Sequence, residues 1–108
     1  MSYLPSKKVF VRVKERQPRA GAAGLLMLEQ KDGAVFALEQ SEDLLKAYQS
    51  ALPRREGYWS YARWLPVPDR TERAALLVAL TALWAPKRLD STIDTAVAAI
   101  ERLKWHDG

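Results

Sequence analysis

Along Val9-Phe10-Val11-Arg12-Val13-Lys14, β-branched residues fall on alternate positions, with Val9, Val11 and Val13 on one side. That period predicts a strand. Gln17 to Ala23 carries Pro18, Gly21 and several alanines and predicts a loop. Two short apolar runs follow, Leu25 to Glu29 and Ala34 to Leu38, separated by Lys31-Asp32-Gly33. Asp-Gly between apolar runs predicts a hairpin, because glycine accepts the positive φ of a tight turn. Leu44, Leu45, Tyr48 and Leu52 recur at helical spacing; Ser41 is the expected cap and Pro53 the expected stop. Glu42 and Asp43 suit the positive end of that helix's dipole. Tyr58 to Leu65 favours a strand, closed by Pro66 and Pro68. Asp69 and Glu72 form a capping-box pattern before a stripe of Leu76, Leu77, Leu80, Leu83 and Trp84, which ends at Pro86. Asp90 or Ser91 would cap a last helix with Ile93, Ala96, Val97, Ile100 and Leu103 on one face. The order β–β–β–α–β–α–α predicts an α+β domain. Its sheet would be small, antiparallel or mixed, with three to four strands packed against three helices.

Composition adds limits. A chain of 108 residues, 48% apolar and 28% charged, is one ordinary globular domain. Disorder would require fewer apolar residues and more net charge. The longest apolar run, Ala74 to Ala85, is interrupted by Thr81 and is too short to span a bilayer. No apolar signal core follows Met1, and cysteine is absent, so a soluble cytoplasmic protein with no membrane contact is the expectation. The net charge of +4 is unevenly placed. Lys7, Lys8, Arg12, Lys14, Arg16 and Arg19 crowd the N-terminal segment; Arg54, Arg55, Arg63, Arg70, Arg73, Lys87 and Arg88 crowd the segment 54–88. If folding joined the two, the patch would attract phosphate backbones; the alternative is an ordinary solvated surface.

Catalytic chemistry finds little to work with. His106 is the only histidine and sits beside Asp107 near the chain end. No metal site, no Ser-His-Asp triad and no phosphate or dinucleotide glycine loop is expected, hence no cofactor. Glu39, Glu42 and Asp43 cluster where a helix begins, so capping and dipole complementarity account for them. The aromatic cluster stands out more. Tyr58, Trp59, Tyr61 and Trp64 lie close together among Arg54, Arg55 and Arg63. Strand alternation places Trp59 and Tyr61 on one face, and Tyr58 and Trp64 on the other. One face would fill core, and the other could stack on bases or meet a protein.

Residues 24–90 resemble the GIY-YIG nuclease domain. Gly24-Leu25-Leu26 falls where GIY would stand, Asp32-Gly33 at the turn, and Ala37-Leu38-Glu39 where YIG would stand. Ser41-Glu42-Asp43-Leu44 falls at the helix start, and Trp84-Ala85-Pro86 at the proline that ends a later helix. The chain is therefore expected to comprise 1–23, a basic N-terminal strand and loop of the same domain, 24–90, the core that the resemblance covers, and 91–108, a C-terminal helix. The resemblance also implies that the family's site residues are missing. Its two tyrosines fall on Leu26 and Ala37, the YIG glycine on Glu39, the helix arginine on Ala47 and the metal-binding glutamate on Leu77. Leucine cannot bind magnesium, which demands oxygen ligands, and neither Leu26 nor Ala37 can move a proton. Glu72 cannot substitute, since five residues along a helix turns a side chain about 140° away. Leu26, Ala37, Ala47 and Leu77 are therefore expected to converge on one apolar spot.

The leading expectation is a non-catalytic domain that binds nucleic acid through Lys7, Lys8, Arg12, Lys14, Arg54, Arg55, Arg63, Trp59 and Tyr61. The alternative is a protein-interaction or structural module, with a homodimer as one form of it. An active nuclease built from other residues ranks last.

Overall fold

The computed structural model describes residues 5–88. The helix expected over 91–108, its candidate caps and His106 lie outside the described residues.

The hairpin forms as its turn chemistry dictates. Strand β2 (Gly24–Glu29) pairs antiparallel with β3 (Val35–Ser41). Gly33 takes φ +88°, and the Asp32 carboxylate accepts a hydrogen bond from the Ala34 N–H at 2.9 Å. β3 contains a bulge: Leu28 pairs with Ala37 but Glu29 pairs with Val35, so Phe36 is the extra residue. The bulge lets Phe36 and Ala37 face the same side of the sheet while Val35 and Leu38 face the other.

The N-terminal segment differs from the strand expected over 9–14. Lys7–Val9 is a 3₁₀ turn, and β1 is only Val11–Arg12. Phe10 enters the core at 2% exposure, its ring edge-on to Trp84 at 5.7 Å, while Val9 is 54% exposed. The alternation of valines is thus broken at Val9, because the larger apolar surface of Phe10 gains more from burial. β1 pairs with β4 (Tyr61–Pro66), and β4 pairs with β2, giving one antiparallel sheet in the order β1-β4-β2-β3.

Helix α1 (Leu44–Ala51) is capped by Asp43, not Ser41: the Asp43 carboxylate accepts the Lys46 N–H. Ser41 stays in β3, and its hydroxyl accepts the Asp43 N–H at 3.0 Å. Pro53 does not stop the chain's coiling. Proline suits the first turn of a helical segment, and a 3₁₀ turn (Leu52–Arg54) leads into the single-turn α2 (Arg55–Tyr58), broken at Gly57 with φ +88°. Helix α3 (Arg70–Trp84) begins as expected, with Asp69 accepting the Glu72 N–H at 2.8 Å. It ends with Ala85 in the left-handed region, the Ala85 N–H donating to Thr81 O, and Pro86 beyond.

The described residues hold two helices longer than a single turn, the two expected there; the third expected helix lies outside them. The two cover opposite faces of the sheet. Leu44, Ala47 and Tyr48 of α1 pack with Leu26, Leu28, Ala37, Trp59 and Trp64. Leu76, Leu77, Leu80 and Trp84 of α3 pack with Phe10, Leu25, Met27, Val35 and Leu38. That arrangement explains why β2 reads as an unbroken apolar run: a central strand covered on both faces has no solvent side. After α3 the chain returns beside β3, the Arg88 N–H donating to Phe36 O at 2.8 Å. Among the described residues no helix is long and apolar enough to cross a membrane.

Candidate nucleic-acid interface

Glu29 is the one carboxylate of β2, and its side chain is 6% exposed. Arg63 of β4, on the same sheet face, pairs with it through Nε, and Lys7 Nζ lies 3.7 Å from its other oxygen. Arg63 Nη1 also donates to Lys7 O at 3.2 Å, and Lys7 Nζ donates to Gly33 O at 2.7 Å. Lys7 and Arg63, both expected to meet a ligand, are therefore spent on an internal ion cluster. The same bonds fold the N-terminal turn back onto the hairpin end of the sheet. Lys8, Arg12, Lys14, Arg54 and Arg55 remain exposed.

Trp59 and Tyr61 do not share a face. β4 starts at Tyr61, and Trp59 lies before it in an irregular link, so strand alternation does not reach Trp59. Trp59 is 4% exposed and packs with Ala62 and Trp64; Tyr61 is 55% exposed. The Trp59 indole N–H donates to Ala51 O at 3.1 Å, satisfying a carbonyl at the end of α1. Its burial removes it from any stacking surface. Trp59→Phe should lose about 1–2 kcal/mol in urea unfolding, because the buried Ala51 carbonyl loses its donor.

A shallow groove of about 630 Å³ lies at the hairpin end of the sheet, lined among others by Lys31, Pro53, Arg55, Ser60 and Tyr61. The Arg55 guanidinium sits 5.7 Å from the Trp59 ring centroid and donates to Ser60 O at 3.4 Å. That contact orients a cation at the groove wall next to the exposed Tyr61 ring. Tyr58, the last residue of α2, is 56% exposed, its ring 5.9 Å from Phe36. Lys31 had been legible only as a turn residue. Its place on the groove depends on the pairing of β2 with β4, which carries Ser60 to the hairpin tip through its N–H bond to Glu29 O at 2.7 Å. Glu29 had a local signal: a lone carboxylate in an apolar run implies a buried partner.

The positions matched to the nuclease motif do not converge as expected. Leu26, Ala37 and Ala47 meet on the α1 side, with Leu26 and Ala37 fully enclosed. Leu77 packs across the sheet with Leu25 and Leu80. The stripe of α3 is committed to the opposite layer, so Leu77 cannot mark the same site. Glu39 pairs with Leu26 in the hairpin and is half-buried. Among the described residues, no three His, Cys, Asp or Glu side chains lie close enough to hold a metal ion.

The fold defines an α+β domain with a four-stranded antiparallel sheet between two helical layers. Comparisons with protein families, with curated proteins and with solved structures found no match.

Proposed function

We propose that this chain is a non-catalytic domain that binds single-stranded nucleic acid along the groove at the hairpin end of its sheet. The observation that carries the reading is the pairing of an exposed aromatic ring, Tyr61, with cations held at the groove, Arg55 and Lys31. Bases stack on aromatic faces whatever their identity, and neighbouring cations take the phosphates. Lys8, in the N-terminal turn that Lys7 anchors to the hairpin, extends the positive surface at the same end. The strand and helix order of residues 24–66 supports a GIY-YIG-like origin, and the enclosure of Leu26 and Ala37 supports the absence of that family's chemistry. The position of Leu77 counts against the likeness. The cytoplasm is the compartment where such a domain would meet its ligand.

Fluorescence anisotropy with a labelled single-stranded oligonucleotide tests the reading. Affinity should fall steeply with salt, by about 0.7 log units per log unit of salt for each phosphate neutralised. Tyr61→Ala should weaken binding roughly tenfold with unchanged unfolding, since the ring is exposed. No binding at low salt, or Tyr61→Ala binding like the parent, would sink the proposal. A protein-interaction module is the second reading, drawn from exposed Val9, Val78 and Leu83. Val78 and Leu83 lie about 140° apart around α3, so they do not form one stripe.

A further inference from the structure

Arg73 lies on the buried stripe of α3, one turn before Leu77 and two before Leu80. It is 4% exposed. Guanidinium does not deprotonate in proteins, so this is a permanent charge placed in the interior. Burying such a charge costs several kcal/mol unless it is paired and fully hydrogen-bonded. The pairing is incomplete. Nη1 donates to Val67 O at 3.1 Å and to Pro68 O at 3.3 Å. Nε has no partner, Nη2 makes no hydrogen bond, and the ion pairs among the described residues do not include Arg73. Nε has no accessible surface and is closed to any ligand, which leaves Nη2 as the guanidinium nitrogen able to meet one.

Arg73 lines a pocket of about 240 Å³ together with Gln40, Ser41, Glu42 and Arg70. The pocket lies at the N-terminal end of α3, where the end of β3 comes alongside. Among the described residues, two guanidinium groups and one carboxylate line it, which leaves the pocket positive. Glu42 is exposed and pairs with neither arginine, so solvent screens its charge. The Ser41 hydroxyl is occupied by the Asp43 backbone, and Asp69 already caps the helix. The arginines are thus the groups left to hold a ligand.

We propose that this pocket binds a compact oxyanion, a phosphoryl or carboxylate group, held by Arg73 Nη2 together with Arg70. The site is independent of the nucleic-acid groove. Gly24, Ser41 and Pro66 mark its end of the sheet, and Glu29 and Tyr61 mark the other. An anion there supplies Nη2 with an acceptor that the two backbone carbonyls do not provide. It also offsets a charge that the fold otherwise carries uncompensated. A buried arginine that only clamps the Val67-Pro68 link would need no ligand, and the two cases separate experimentally.

The full chain, labelled with ¹⁵N, is titrated with sodium phosphate, sodium acetate and sodium chloride at constant ionic strength. The Arg73 Nε–H resonance should shift saturably with phosphate or acetate, with half-saturation at about 1 mM or below, and not with chloride. A response to phosphate alone assigns a phosphoryl ligand, and one to acetate alone a carboxylate. Arg70→Gln alters an exposed side chain and should reduce the affinity several-fold with the fold intact. Arg73→Lys keeps the charge, loses the planar guanidinium with its Nη2 donors and should bind roughly tenfold more weakly. If Arg73→Lys does not fold, the parent and Arg70→Gln titrations decide. The proposal is overturned if neither oxyanion moves the resonance saturably by about 50 mM, if chloride moves it equally, or if Arg70→Gln binds like the parent.

Discussion

Gly24→Ala should destabilise the protein by about 3 kcal/mol, one of the largest effects expected of any single methyl group in this chain. The backbone at Gly24 is not in the left-handed region, so conformational freedom is not the reason. The reason is space. A Cβ at Gly24 would overlap the Leu65 carbonyl oxygen and meet Leu44 Cδ1 at 3.0 Å. The carbonyl belongs to β4, paired with β2 along its whole length, and it cannot swing aside without breaking the ladder. The neighbourhood is tied on both sides: Ala22 O accepts the Leu44 N–H at 2.8 Å, and Ala23 O accepts the Val67 N–H at 3.0 Å. Urea unfolding followed by far-UV circular dichroism should show a lowered midpoint with an unchanged slope. Gly33→Ala is the control. Its Cβ meets nothing, and only the positive φ is strained, so its cost should be about 1 kcal/mol. Equal effects at the two positions would refute the steric account.

The second large effect belongs to the ion cluster. Arg63→Met should cost about 3 kcal/mol, because it leaves the Glu29 carboxylate enclosed with only Lys7 at 3.7 Å. Replacing both partners, Glu29→Met with Arg63→Met, should restore most of that loss, since no buried charge is stranded and the apolar volume is kept. The double-mutant cycle measures the coupling directly. A double variant as unstable as the sum of the singles would mean that the pair contributes packing rather than charge compensation. Functional readings also depend on this result. Loss of oligonucleotide binding in an Arg63 variant would report unfolding, so Arg55 and Tyr61, both exposed, are the positions that probe the groove.

Most elements were legible because their signals are local. Asp32-Gly33 states a turn, Asp69 with Glu72 states a helix start, and the leucine spacing of 44–52 and 76–84 states two helices. The misplaced features have a common cause. Ser41 was the expected cap, but β3 pairs three residues beyond its apolar run, down to Ser41 opposite Gly24, so capping passed to Asp43. Val9 gave way to Phe10 because α3 presents Trp84 there. The bulge at Phe36 exists only relative to β2. The candidate site was less legible than the fold. Of the named cations, Lys7 and Arg63 turned out to serve Glu29, and of the named aromatics Trp59 belongs to the core.

Local geometry is written in the chain: where it turns, where α3 begins, that the domain is α+β, and that its charge is concentrated in two segments. Those properties follow from φ preference, capping and apolar period, each read within a few residues. Which side of the sheet each helix covers depends instead on how the layers pack. That choice separated Leu77 from Leu26, Ala37 and Ala47. It also decided which charges meet. Lys7, Glu29 and Arg63 come together across long stretches of chain, Lys31 reaches the groove through strand pairing, and Arg73 is enclosed with part of its guanidinium unpartnered. Burial and long-range pairing depend on the packing of whole layers, and no local pattern of residue types carries that information.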